Sequence, residues 1–169
     1  MYIFKETPQE NIDLFMERIK VAQNATTIQD QHFNYAVLCL IGLYDSMTEE
    51  HSDFRNSNEL KVFYKESAKE LVKLWRDLNA YADITYFMAE VADENEWYYL
   101  CIRRSVLYIL VNDYKETEVR QHIELNDIEE LDVELKRVGL EQGTIPPEYI
   151  PRGLSKEHWW WYYPDREAE

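Results

Sequence analysis

The chain has 169 residues, 46% of them hydrophobic and 14% aromatic, with only 4 glycines; 33 acidic side chains against 18 basic ones leave a formal net charge of −15. That composition excludes a disordered chain and suits a single helix-rich domain that buries roughly two-thirds of the surface its unfolded form would expose. The acidity disfavours direct binding to nucleic acid or anionic membranes, both of which it repels, and favours basic proteins, which it steers at long range.

The chain opens without the long apolar stretch of a signal peptide. Its first helix is predicted to start at Thr7, where Thr7-Pro8-Gln9-Glu10 forms a capping box with proline in the first turn. Ile12, Phe15, Ile19 and Ala22 follow at helical spacing. A second helix is predicted from about Thr27, with Phe33, Val37, Leu40, Ile41, Tyr44 and Met47 on one face and Tyr35 and Leu38 on another. Its apolar run, Tyr35 to Tyr44 broken only by Gly42, is too short to span a bilayer. A glycine inside a helix costs about 1 kcal/mol against alanine, so Gly42 predicts close approach by another segment.

Residues 48–57 are polar and predict a loop. Leu60, Phe63, Ser67, Leu71, Leu74 and Leu78 then recur at near-heptad spacing, predicting a third helix, with a fourth over 81–91. Asp93-Glu94-Asn95-Glu96 predicts a capping box for a fifth helix, running to about Asn112 and apolar nearly all round, hence central. Residues 116–125 alternate enough to predict a short strand or a loop. Asn126 is expected to cap a helix that ends at Val138, with Gly139 in the terminal position. Beyond Leu140, the residues Gly143, Pro146, Pro147, Pro151 and Gly153 predict an extended arm. It leads to Ser155, a cap for one turn carrying Trp159, Trp160 and Trp161. The expectation is an all-α single domain over residues 1–169: a bundle of five to six helices at about 7–139, with the Pro/Trp-rich arm of about 140–169 packed across it.

Few residue patterns point to chemistry. None of the four histidines has a glutamate three residues before it, as di-iron bundles require. Glu118 and His122 share a helical spacing but lack a second pair, so no metal and no cofactor is expected. Cys39 and Cys101 sit in apolar helical patterns without metal spacing, which predicts buried, reduced thiols and a cytoplasmic address. Arg103 and Arg104 lie close enough to Cys101 to favour a thiolate, yet Cys101 shares its face with Trp97, Leu100, Tyr108 and Val111 and is expected to pack.

Arg103 and Arg104 interrupt the most apolar helix. Buried arginines normally pair with carboxylates, so an internal salt bridge is the first expectation and a concave anion site the second. Lys61, Lys65, Lys69 and Lys73 form a basic stripe, with Glu66 and Glu70 spaced to pair with its last two members.

The acidity is uneven, with a balance of −6 over residues 1–60, −1 over 61–115 and −8 over 116–169. Glu116, Glu118, Glu124, Asp127, Glu129, Glu130, Asp132 and Glu134 crowd one segment whose only cation is Arg120, and Val133 falls among the carboxylates of its helix. Such a face serves either solubility or the grip of a basic partner, where charges orient and a central apolar contact holds. Three consecutive tryptophans cannot all face one core, because helical neighbours stand about 100° apart and strand neighbours alternate. Trp159, Trp160 and Trp161 either seal bundle surface or anchor a partner.

The leading expectation is a non-enzymatic inhibitor that occludes a basic protein, most concretely a bacterial immunity protein against a nuclease-type toxin. A phage anti-defence protein mimicking nucleic acid is close behind. The other readings are an enzyme or small-molecule receptor with an anion site at Arg103 and Arg104, and an assembly role in which protomers exchange the Trp arm.

Overall fold

A computed structural model describes residues 4–26, 29–93 and 96–164. Over these residues the chain is all-α, with no strands: α1 (Pro8–Asn24), α2 (Gln29–Ser46), α3 (Asn58–Val72), α4 (Trp75–Glu90), α5 (Trp97–Asn112) and α6 (Leu125–Gln142). Short 3-10 helices occupy Glu49–Asn56, Glu118–His122, Pro147–Tyr149 and Trp159–Trp161. The bundle with an arm across it is therefore the architecture found, with α5 in the middle. Every residue from Leu100 to Leu107 is buried, as are Ile109 and Leu110. Each large apolar side chain so placed contributes about 1.5–3 kcal/mol.

The capping box of α1 forms as its sequence requires. Glu10 N–H donates to the Thr7 hydroxyl oxygen at 3.3 Å, and Thr7 N–H donates back to the Glu10 carboxylate at 3.1 Å. The predicted cap of α2 at Thr27 lies outside the described residues. Gly42 meets the expected close approach: a Cβ there would stand 2.5 Å from Asn11 Oδ1 and 2.8 Å from the Phe4 ring. Asn11 is itself buried and ties residues 5–7 to α1, accepting from Lys5 N–H and donating to the carbonyls of Lys5 and Thr7. At the fifth helix, the Glu96 carboxylate accepts from Asp93 N–H at 3.3 Å, one arm of the expected box.

Several boundaries differ from the sequence expectation. Residues 49–56 form a 3-10 helix rather than a loop. The leucine stripe from Leu60 to Leu78 crosses a break. The chain tightens at Lys73–Leu74, where Leu74 N–H bonds the Leu71 carbonyl at 2.8 Å, and α4 starts at Trp75. Leu71, Leu74 and Leu78 all reach the core, so periodicity carries no trace of the bend. Within residues 116–125, expected as a short strand or a loop, residues 118–122 form a 3-10 helix. A lone strand has no partner here for its backbone hydrogen bonds.

The end of α6 is the clearest correction. The helix begins at Leu125, not after Asn126, and runs past Gly139 to Gln142. Gly143, with φ of 78° and ψ of −171°, stops it, in a backbone region that is essentially glycine's alone. Gly139 is a packing glycine. A Cβ there would lie 2.7 Å from the Tyr163 ring and 3.0 Å from that of Trp97.

Candidate functional site

Two places on the bundle concentrate unusual chemistry. The first is a surface shared by α4 and α6. Asp127 of α6 has its carboxyl raised above the usual range by burial, then by the negative charges of Asp83 on α4 and of Glu124 and Glu130. Tyr86 of α4 is likewise raised by Glu90, Glu134 and Glu130. Carboxylates of two helices thus meet at one seam. Among the described residues, none of Asp83, Glu124, Asp127, Glu129 and Glu130 is ion-paired. Val133 is 71% exposed on the outermost line of α6, and Phe87 of α4 (64%) and Val91 just past its end (79%) stand exposed one turn apart, near Asp83 and Glu90. Phe87 and Val91 fall within the fourth helix expected over 81–91, but nothing in their spacing says that this face meets the acidic side of α6.

The remaining acidic residues of the segment are placed differently. Asp132 is turned inward and holds Arg104: Nε–Oδ1 is 2.6 Å and Nη2–Oδ2 is 3.0 Å. Glu134 is taken up by Arg137, whose Nε donates to it at 2.6 Å and whose Nη1 reaches Glu141 at 2.8 Å. Glu116 and Glu118 are exposed, at and just before the 3-10 helix packed on α3 and α4. Glu118 and His122 do not share an α-helical face there, since a 3-10 turn eclipses residues three apart, and His122 Nδ1 lies 3.2 Å from the Asn79 side chain. Among the described residues, no group of His, Cys, Asp or Glu is arranged to hold a metal. Lys69 and Lys73 pair with Glu66 and Glu70, both at 2.8 Å, on an exposed face.

The tryptophans are split by their geometry. Trp160 and Trp161 are buried against α5, and both indole N–H groups donate to the Ser105 hydroxyl oxygen, at 3.0 and 2.8 Å. With both lone pairs taken, the Ser105 proton is left for His158 Nδ1 at 2.9 Å. The imidazole is therefore neutral and protonated on Nε2. Its pKa is pushed down to about 4 by burial and by the charge of Arg104. Arg104 closes the knot, stacked 4.2 Å from the Trp160 ring centroid. Trp159 stays half-buried, edge-on to Trp160 and Tyr163, with the Lys136 ammonium 5.4 Å from its ring. Neither Ser105 nor His158 stands out in the sequence as a partner of the tryptophans. The signal that could have found them is a lone serine in an otherwise apolar helix.

The second place surrounds Arg103, which is 4% exposed. Nε donates to Thr85 Oγ1 at 2.9 Å, Nη1 to Asn34 Oδ1 at 2.6 Å and Nη2 to the Tyr81 carbonyl at 3.4 Å. The guanidinium lies 4.0 Å from the Tyr81 ring centroid and 5.8 Å from that of Tyr99. Among the described residues, no carboxylate lies within ion-pair distance. The two adjacent arginines thus have different fates: Arg104 is neutralised and Arg103 is only solvated by dipoles and rings. Cys101 lies between Trp97 and Ser105 on the buried face, its thiol raised by burial and directed at the Trp160 carbonyl at 3.6 Å. Cys39, also buried, is pushed up to about 11.

No helix among the described residues is long and apolar enough to cross a membrane. No family model matches the chain, and neither curated proteins nor solved structures show a match to it.

Proposed function

We propose that the protein binds and occludes a basic protein partner through the acidic seam of α4 and α6. The observation that carries this reading is the meeting, without an ion pair among the described residues, of Asp83, Glu124, Asp127 and Glu130, whose charges add to burial in raising the Asp127 carboxyl. Folding gains nothing from like charges placed side by side across two helices, whereas a partner rich in lysine and arginine gains both steering and pairing from them. Val133, Phe87 and Val91 supply exposed apolar contacts among the same charges. Asp132 is taken up by the buried Arg104 and Glu134 by Arg137 on the surface of α6, so neither belongs to the docking set. In its most concrete form the partner is a nuclease-type toxin of a bacterium and the protein its immunity factor, with carboxylates filling the sites that grip phosphates. A phage inhibitor mimicking nucleic acid would use the same surface.

The test separates folding from binding. Glu130→Lys combined with Glu129→Lys is expected to weaken capture of a stoichiometric basic partner by about tenfold or more while leaving the thermal midpoint unchanged or raised, because the substitution relieves repulsion at Asp127. The wild-type complex should also weaken with salt. A partner that survives both the charge reversal and high salt would place its interface elsewhere.

A further inference from the structure

We infer that the groove beside Arg103, between α2, α4 and α5, is a binding site for a small monocarboxylate carried on an aromatic or aliphatic body. Its support is independent of the acidic seam. A guanidinium withdrawn from water costs several kcal/mol unless a counter-charge is supplied, and a leucine in its place would pack without that cost. Among the described residues, Arg103 nevertheless sits in the core with neutral acceptors alone: a hydroxyl, an amide oxygen and a peptide carbonyl. Those three bonds use three of its five N–H donors, and a carboxylate is the planar acceptor that matches what remains of the fork. Arg103 lines a groove of about 400 Å³, within the range of small-molecule sites. Its other walls include Phe33, Tyr35, Ile84, Met88 and Tyr99, which suit an apolar body.

The polar positions around the guanidinium are fixed before any ligand arrives. Asn34 Oδ1 accepts from both Arg103 and Tyr81 Oη–H, while its amide donates to Tyr99 Oη at 2.6 Å. Thr85 is held in turn, its hydroxyl donating to the Tyr81 carbonyl at 2.7 Å. Such preorganisation is what a specific anion site requires and what a casual surface arginine lacks. The same groove bears Arg76 on its exposed rim and Asp77 on its wall. Asp77 and the overall charge of −15 favour a singly charged ligand over a phosphate dianion.

The test titrates the full-length protein with benzoate, phenyl phosphate and benzamide, following the side-chain Nε–H resonance of Arg103 and the ring resonances of Tyr81 and Tyr99. Benzoate is expected to shift them saturably, with neutral benzamide about tenfold weaker or worse. Arg103→Lys, which keeps the charge and loses the fork, is expected to weaken benzoate by about tenfold, and Arg76→Gln at the exposed rim by severalfold. Resonances of Arg103 unmoved by benzoate at about 10 mM would overturn the assignment, since even fragment-sized ligands register there. So would an equal response to benzamide, shifts confined to the Lys61–Lys73 stripe, or undiminished affinity in both variants. Phenyl phosphate binding more tightly than benzoate would overturn the choice of a monoanion.

Discussion

Ser105 shows how much one hydroxyl can organise. Its Oγ is shared by Trp160 Nε1, Trp161 Nε1 and His158 Nδ1, and satisfying all three lets two indoles and an imidazole leave water together. The cost is a titratable group held neutral. His158 has a folded-state pKa of about 4 against an ordinary 6.5, so the unfolded chain takes up a proton that the folded chain refuses. The stability linked to this residue is complete above about pH 6.5 and falls as pH drops toward about 4, by about 3 kcal/mol over that window. Denaturant titrations at stepped pH should show this slope in the wild type, and His158→Gln should flatten it. Equal slopes in both proteins would mean that His158 charges without disturbing the arm.

At the scale of elements, the glycine inside α6 and the one that ends it have different reasons to be glycine. Gly143 needs its backbone: with φ of 78° and ψ of −171°, alanine there is strained by about 1–3 kcal/mol although nothing lies within 4 Å of its Cβ. Gly139 needs its missing side chain. Alanine would gain up to about 1 kcal/mol of helix propensity but press on the rings of Tyr163 and Trp97, and overpacking of about 1–3 kcal/mol wins. Double-mutant cycles with Tyr163→Ala distinguish the two. The cost of Gly139→Ala should shrink in the Tyr163→Ala background, whereas that of Gly143→Ala should not. A third glycine serves the arm: Gly153, at φ of 81°, passes so close to the Tyr44 carbonyl that a Cβ would collide. Beside it Arg152 N–H reaches Asp45 at 2.7 Å, and the Arg55 guanidinium bonds the Gly153 carbonyl. The arm is thereby pinned to the end of α2 before it crosses α5.

Across the whole molecule, the arm closes the bundle. Removing residues 155–169 would strip Trp160, Trp161 and His158 from α5 and open Ser105 and Cys101 to water. Each buried tryptophan truncated to alanine costs about 3–5 kcal/mol, and a domain of this kind holds about 5–15 kcal/mol in all, so the shortened chain should lose its cooperative thermal transition in circular dichroism. A truncated protein that melts as the wild type does would show that the tryptophans cover surface the bundle can expose. What the sequence by itself determined is the part governed by local periodicity and caps: an all-helical chain, the Thr7 box, the central place of α5, the close approach at Gly42 and an arm after α6. These follow from spacing within a few residues, which a linear pattern records. The tertiary structure alone decided which charges stay free. Asp132 and Glu130 look alike in sequence, yet one neutralises Arg104 and the other crowds Asp127; Arg103 and Arg104 are neighbours, yet among the described residues only Arg104 finds a carboxylate. Pairing depends on which side chains the fold brings within a few ångströms across helices distant in sequence, and no spacing along the chain encodes that distance.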